Sequence, residues 1–310
     1  MQTPDDSDFY RAALDSVMAG VYLVDTAGKI LFWNTGAERI SGYLRQEIVG
    51  HSALHDFLGR LDADNNPIDG ELLPVSIALR NGKDNAAQVS IRHKSGNRIL
   101  TRLHAAPIRD SRGALVGAVE TFEEATFSPH LDVRLSKLQE YGCIDDASGL
   151  LNHALVQSYL RETLVTFAEH PVPFSILCIG IDNLDALKAR SGAGAVAALI
   201  RAVGQTLENG LRPTDTIGRW RENEFLAVLI ECGPHEIGKV GERLRKMAQR
   251  CEVEWWGDQI RTTISLGGAS AQTGDTCEAI VQRAEAALKS CAEHGGNQIL
   301  LCDDMVSAEK

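Results

Sequence analysis

Residues 212–229, RPTDTIGRWRENEFLAVL, contain two short apolar runs that meet at a charged turn. Residues 216–220 and 225–230 are rich in side chains that favour β-strands. Between them, Arg221-Glu222-Asn223 favours a turn over a continuing strand. The stretch therefore predicts a β-hairpin.

Apolar and amphipathic segments alternate on both sides of this hairpin. Helical periodicity predicts helices at 154–169, 184–209, 235–249 and 276–293. Short apolar runs predict strands at 174–181, 253–256, 261–269 and 298–301. This alternation is typical of an α/β sheet with helices packed on it, and we predict such a domain over residues 147–305.

The first part of the chain follows another pattern. A helix is predicted at 9–18, followed by a hairpin over 21–34 and by short helical pieces near residues 37–51. Three further strands are predicted at 86–93, 98–107 and 114–121, joined by turns that contain Gly96 and Gly113. We predict an α+β domain over residues 8–125.

Composition narrows the classes of function. The 310 residues are 44% hydrophobic and carry a net charge of −11, which disfavours nonspecific binding to nucleic acid or to an anionic membrane. No apolar run approaches the length of a membrane span, and the N-terminus is acidic, so we expect a cytoplasmic protein. All seven cysteines follow residue 142 without a CxxC pair, which predicts reduced thiols and no zinc site.

The motifs GVYLVDTAGKILFWNTGAERISGYLRQEIVGH (20–51), HKSGNRI (93–99) and PIRDSRGALVGAVETF (107–122) together resemble a PAS domain. The resemblance implies a five-stranded antiparallel sheet whose helices enclose a small sensory cavity. It also implies dimerisation in many members, and it leaves the PAS ligand unknown.

Two cofactor classes can be weighed for this domain. Residues 1–142 contain no cysteine, which excludes the photosensory flavin type. The candidate axial ligands for a haem are His51, His55, His93 and His104. His51 and His55 would share one face if they lay on a helix, but surface histidines without a third ligand are the favoured alternative. We predict no haem and no metal.

Residues 126–146 form a candidate connector. Leu131, Leu135 and Leu138 have the spacing of a coiled-coil seam, although one heptad fits an isolated amphipathic helix equally well. The resemblance to PAS–GGDEF proteins implies a parallel helix pair that carries the signal between domains. We therefore expect a homodimer through the PAS domain and this helix.

The segment GRWRENEFLAVL (218–229) resembles the ARYGGDEFAVLL signature of the GGDEF (diguanylate cyclase) family. The motifs DDASGLLNH (145–153), TISLGGASA (263–271) and AEAALKSCAEHGGNQI (284–299) extend the resemblance over the domain. It implies a palm-like α/β fold and bacterial cyclic di-GMP signalling. The family reaction joins two GTP molecules by a two-metal phosphoryl transfer.

Most residues of that reaction are replaced here. The metal-binding acids of the family fall on Gly180 and Asn223, and Arg221 and Glu222 replace the glycines of the turn. The phosphate and guanine ligands fall on Asp185, Lys188, Ala197, Ala292 and Gly296. Asp182 and Glu224 remain and are expected to be structural. We predict no catalytic residues, no metal site and no cyclase activity, because each missing electrostatic contact costs about 2.7–4 kcal/mol in the transition state.

One family motif is intact. Arg212-Pro213-Thr214-Asp215 has the RxxD pattern of the family's product-binding inhibitory site, at the same distance from the signature turn, and Arg243 matches a second arginine. An arginine and a carboxylate can read the edges of guanine, which predicts a stacked cyclic di-GMP dimer as an allosteric ligand. An ordinary turn with a solvated Arg212 is the alternative.

Two other functions stay open from the sequence. One is an active diguanylate cyclase with an unusual active site. The other is a dimeric docking protein that binds an unknown downstream partner without any nucleotide.

Overall fold

The computed structural model describes residues 6–62, 65–125 and 141–302, which form two compact units. The predicted connector leucines Leu131, Leu135 and Leu138 lie outside the described residues. None of the described helices is long and apolar enough to cross a membrane.

The first unit is built on one five-stranded sheet. Its helices are α1 (Asp6–Asp15), α2 (Thr35–Ser41), α3 (Arg45–Ile48) and α4 (Pro74–Asn81). Its strands are β1 (Gly20–Asp25), β2 (Ile30–Trp33), β3 (Asn85–Arg92), β4 (Arg98–Arg109) and β5 (Leu115–Glu124). The strand order β2-β1-β5-β4-β3 and the antiparallel pairing confirm the predicted sheet.

A charged network lies inside this unit. Arg60 and Glu120 have side chains that are 0% exposed, and the Arg60 Nη2 atom lies 3.1 Å from Glu120 Oε1. The Tyr22 hydroxyl donates to the same oxygen at 2.7 Å, and the Val75 amide at the start of α4 donates to Oε2 at 3.1 Å. Burial, followed by the charge of Glu120, raises the pKa of Tyr22 well above its ordinary value, so the phenol stays a donor. The network joins β1, β5 and α4.

The second unit has a mixed sheet with helices packed on it. Its helices are α5 (His153–Glu169), α6 (Leu184–Asn209), α7 (Pro234–Gln249) and α8 (Cys277–Glu293). Its strands are β6 (Phe174–Ile181), β7 (Thr216–Arg221), β8 (Glu224–Ile230), β9 (Glu252–Trp255), β10 (Asp258–Arg261), β11 (Ile264–Ser270) and β12 (Ile299–Leu301). The main sheet has the order β12-β11-β6-β8-β7, which confirms the predicted α/β fold.

Strand β6 lies at the centre of this sheet. Seven of its eight residues are buried, and alternate side chains enter two separate apolar cores, one on each face. A strand buried on both faces reads as a continuous apolar run, which is why the sequence predicted it with the observed bounds.

The first helix was predicted at 9–18, whereas α1 spans Asp6–Asp15. Two predicted elements of the second unit also differ from the structure. The predicted strand 261–269 is wrong in its first part, because β10 ends at Arg261 and pairs with β9 in a separate two-stranded sheet. The turn between β9 and β10 is Trp256-Gly257, where φ is +52° and +88°, as a two-residue hairpin turn requires. Helix α6 is interrupted at Gly192, where φ is +83°.

The buried ion pair gives a prediction for the first unit. Glu120→Ala leaves the Arg60 guanidinium buried without its main counter-charge, and we expect a loss of about 3–5 kcal/mol in the free energy of unfolding. A urea titration measures this loss when unfolding is detected by hydrogen–deuterium exchange in peptides from β1. Glu123→Ala removes an exposed carboxylate from the same strand and should cost less than about 0.5 kcal/mol. Equal effects of the two changes would contradict the assignment.

Glu208 in the last turn of α6 gives a pH dependence for the second unit. Burial raises its pKa to about 7, whereas an unfolded chain has a value of about 4.3. Between these two pKa values the folded chain therefore binds more protons than the unfolded chain. The free energy of unfolding consequently falls as pH rises from about 4 to 7. Glu208→Gln should add up to about 3 kcal/mol at pH 8 and almost nothing at pH 4.

The measurement is the same exchange-detected urea titration, made on β6 peptides at several pH values. Glu169→Gln, at an exposed position in α5, is the control. A stability gain from Glu208→Gln that does not change with pH would show that Glu208 does not titrate in this range.

Candidate functional site

The hairpin predicted within residues 212–229 is formed by β7 and β8, and Glu222 and Asn223 lie between them. Arg219 stabilises the turn through two hydrogen bonds to backbone carbonyls. Its Nε donates to the carbonyl of Arg221 at 2.8 Å, and its Nη2 donates to the carbonyl of Glu222. The carbonyl of Asn223 accepts a hydrogen bond from the last amide of β6 at 3.1 Å. The turn is therefore fixed to the middle of the sheet.

Arg221 neutralises the acidic groups next to this turn. Its Nη2 lies 2.5 Å from Glu285 Oε1 on α8, and its Nη1 lies 3.0 Å from Glu224 Oε2. The indole of Trp220 donates to the same oxygen of Glu285 at 3.0 Å. The hydrogen bond to Glu285 is the main reason that the pKa of Arg221 is raised. One guanidinium thus engages both carboxylates.

The position beside Glu224 carries no ligand for a metal. Gly180 of β6 is the direct cross-strand partner of Glu224, and a Cβ built there would face the Leu288 side chain at 3.5 Å. Magnesium requires several oxygen ligands, usually including carboxylates. With glycine at 180, a neutral amide at Asn223 and Glu224 bound to Arg221, the residues present do not fit the magnesium ions of the family reaction. In the described part of the chain, no group of three potential ligands is arranged to hold a metal.

Asp182, the second remaining acid, has its hydrogen-bonding capacity engaged within the fold. Its carboxylate accepts from Thr263 Oγ1 at 2.6 Å, from Ser265 Oγ at 2.7 Å and from the amide of Asn297 at 2.9 Å. These bonds join the end of β6 to the start of β11 and to the turn before β12. The geometry matches a structural carboxylate.

The positions aligned with the nucleotide ligands of the family lie at the surface. Exposed side chains occupy four of them: Asp185, Lys188, Ala197 and Ala292. Two are methyl groups, and Asp185 would repel a phosphate. The fifth, Gly296, has φ +74°, and a Cβ there would lie 3.0 Å from Asp182. The arginine of the family would therefore be strained at 296.

The three residues of the predicted product-binding site lie close together. Arg212 is exposed, and its backbone amide donates to Asp215 Oδ2 at 3.0 Å, while the Asp215 amide donates back to the Arg212 carbonyl at 3.0 Å. Asp215 Oδ1 also accepts from the Ile230 amide at 3.2 Å. The RxxD segment is thus an ordered turn that caps the last residue of β8. The segment therefore forms the turn that the alternative interpretation predicted, and it also presents the exposed Arg212.

Arg243 on α7 completes this group. Its Nη2 donates to the carbonyl of Gly210 at 2.7 Å, whereas its buried Nε has no hydrogen-bond partner. Burial, followed by repulsion from Arg212, lowers the pKa of Arg243, and Asp215 partly offsets this. Burial likewise raises the pKa of Asp215, although the two backbone hydrogen bonds oppose that rise. The guanidinium groups of Arg212 and Arg243 and the carboxylate of Asp215 are therefore near enough at this corner to affect one another's charge.

The candidate haem ligands are dispersed. His51 and His55 are exposed and lie in the loop after α3, so they do not share a helix face. His104 is exposed on β4, with its Nε2 atom 3.8 Å from Asp84. His93 is half-buried and contacts Ser95 at 2.6 Å, and burial lowers its pKa.

Sequence reasoning missed one residue of the site, Glu285. It lies in the motif at residues 284–299 and is 64 residues after Arg221 in the sequence. Only the packing of α8 against β6 brings the two side chains together, and no local spacing could have indicated the contact.

Comparison with known proteins agrees with this architecture. A family model for "Diguanylate cyclase, GGDEF domain" matches residues 143–298, and a PAS domain model matches residues 18–126. The probable diguanylate cyclase DgcE of Escherichia coli is 26% identical over 259 residues, which is 82% of this chain but 22% of DgcE. The chain spans less than half the length of the curated relatives it matches.

Solved structures show the same fold for the second unit. Diguanylate cyclase SiaD of Pseudomonas aeruginosa, in complex with its activator SiaC, has a TM-score of 0.52 at 25% identity and covers 56% of this chain and 66% of its own. The GGDEF domain of DgcB from Caulobacter crescentus, in complex with c-di-GMP, has a TM-score of 0.50 at 18% identity and covers 52% and 96%. The family model matches just over half of this chain. The chain therefore belongs to the diguanylate cyclase GGDEF-domain family, with a PAS domain preceding the GGDEF domain.

Proposed function

We propose that this chain is a cytoplasmic signalling protein that binds cyclic di-GMP through Arg212, Asp215 and Arg243 and makes none of it. Its PAS domain receives a signal, and the PAS domain and connector hold it as a homodimer. The observation that supports the proposal is the proximity of Arg212, Asp215 and Arg243 around an ordered turn.

The chemistry of that corner suits a guanine base. A guanidinium can donate to O6 and N7 of guanine, and a carboxylate can accept from N1–H and N2–H. Asp215 uses one acceptor site on each oxygen for the backbone amides of Arg212 and Ile230, and each carboxylate oxygen has a second lone pair for a ligand. A phosphate or a stacked second ligand molecule would also relieve the repulsion between Arg212 and Arg243.

The proposal also agrees with the charges at the β7–β8 hairpin. Arg221 binds Glu224 and Glu285, so the acids that remain there are already neutralised. Losing the metal ligands at 180 and 223 removes the reaction without disturbing the corner at residues 212–215, because the two places lie at opposite ends of β7. Loss of the cyclase site therefore does not require loss of the product site.

The binding prediction tests charge at two positions. Arg212→Ala should weaken cyclic di-GMP binding by about 10- to 100-fold, since a charged hydrogen bond contributes about 1.5–3 kcal/mol. Asp215→Asn should do the same and should also reduce the preference for guanine over adenine. Asparagine is chosen because its one amide oxygen can keep one of the two backbone contacts, whereas alanine would remove both. Isothermal titration calorimetry measures both effects.

Arg190→Ala is the matched control, because Arg190 is an exposed arginine on α6. It should bind like the wild type. If the wild-type chain shows neither heat nor a thermal shift with cyclic di-GMP well above micromolar concentration, the segment is a turn only. The nucleotide-independent docking function would then replace the proposal.

The activity prediction concerns GTP. The wild-type chain incubated with GTP and Mg²⁺ or Mn²⁺ should yield no cyclic di-GMP by chromatography, because two metal-binding carboxylates are missing. Arg221→Gly should also stay inactive, since freeing Glu224 does not supply a second acid at Gly180. Turnover by the wild type that disappears in Glu224→Ala would establish the alternative, an active cyclase with an unusual site.

A further inference from the structure

The tip of the β9–β10 hairpin carries an indole that the fold does not use. Trp256 is 93% exposed, the highest value among the large hydrophobic side chains of the described residues. The other three tryptophans, Trp33, Trp220 and Trp255, are buried or half-buried. Leaving an indole in water forgoes the favourable burial of a large apolar surface.

The backbone at this tip also disfavours tryptophan. Both turn residues have positive φ, +52° at Trp256 and +88° at Gly257. A two-residue turn of this kind favours Asn, Asp or Gly at its first position, because a larger side chain is strained in the left-handed region. Neither burial nor turn geometry therefore accounts for an indole at 256.

The hairpin beneath Trp256 is firmly supported. Val253 and Ile260 are cross-strand partners and lie buried in the main core of the second unit. Trp255 packs against the same core and lies over Gly194, where a Cβ would come within 2.7 Å of the indole. The turn is therefore held in a defined direction, and a contact made by Trp256 would require little ordering of the loop.

Two carboxylates lie near Trp256 in the hairpin, one on each face, because Glu254 is opposite Gln259 and Asp258 is opposite Trp255. Glu254 and Asp258 lie two residues before and two residues after Trp256, and both are exposed. Within the described part of the chain, neither side chain forms an ion pair. An open indole face next to uncompensated negative charge attracts a cation, and arginine is favoured because its planar guanidinium can stack on the ring and also bind a carboxylate.

We propose that Trp256, with Glu254 and Asp258, is a docking point for an arginine side chain presented by a partner protein. The negative charge at this site favours such a partner over an anionic lipid surface and over a second copy of the chain. An anionic lipid surface would repel both carboxylates. A second copy of the chain carries the same net charge of −11, whereas a basic segment is attracted to it.

The test uses a short fluorescein-labelled Gly/Ser peptide that contains arginines, with the full chain titrated against it in a fluorescence anisotropy assay. We expect tighter binding than to the same peptide with lysines in place of arginines. Trp256→Asn should weaken binding of the arginine peptide by about 2- to 5-fold. This variant keeps the net charge, so nonspecific attraction is constant, and asparagine suits the turn, so its Tm should equal or exceed that of the wild type.

Tyr141→Ser, at another highly exposed aromatic residue, should leave the affinity unchanged. The proposal is overturned if the arginine peptide binds Trp256→Asn as tightly as the wild type, or if the wild type does not prefer it over the lysine peptide. Binding of the wild type, but not the variant, to anionic vesicles would instead assign the indole to a membrane. Self-association lost in the variant, without peptide binding, would assign it to a second copy.

Discussion

The antiparallel pairing of β6 with β8 on one side and β11 on the other is the constraint on which the second unit depends. It places Gly180 between Glu224 and Ser265 in one row across the sheet. It also brings Asp182 close to three hydrogen-bond donors from other parts of the chain. Thr263 and Ser265 follow β10, and Asn297 follows α8. Because β6 is buried on both faces, a one-residue change of register would move apolar side chains between the two cores.

This pairing does not depend on the side chains at which the chain differs from the family motif. The backbone pairing does not need a carboxylate at 180 or 223, and the charge left at the hairpin is balanced inside the chain by Arg221. Asp182 keeps a role because its hydrogen bonds are part of the sheet edge. The first unit makes a similar use of charge, with one buried guanidinium and one buried carboxylate holding β5 to α4 and to the loop that contains Arg60.

The sequence predicted the elements whose information is local. The bounds of β6, the hairpin and the long helices followed from apolar runs, helical periodicity and turn residues, and the family motifs supplied their arrangement. The break between β10 and β11 was missed because Thr262 and Thr263 are good strand residues on either side of a change of sheet. Glu285 and the unpartnered Nε of Arg243 depend on which helix packs over which strand, and no local pattern in one sequence records that.

The backbone at Gly296 limits which side chains the turn before β12 can accept. A side chain there would sit at φ +74°, with its first carbon 3.0 Å from the carboxylate that ties β6 to β11. Restoring an arginine would strain the turn and press on Asp182 before any phosphate could be held. A single mutation from glycine to arginine at 296 would therefore meet a penalty in folding before the new side chain could contribute to binding a phosphate.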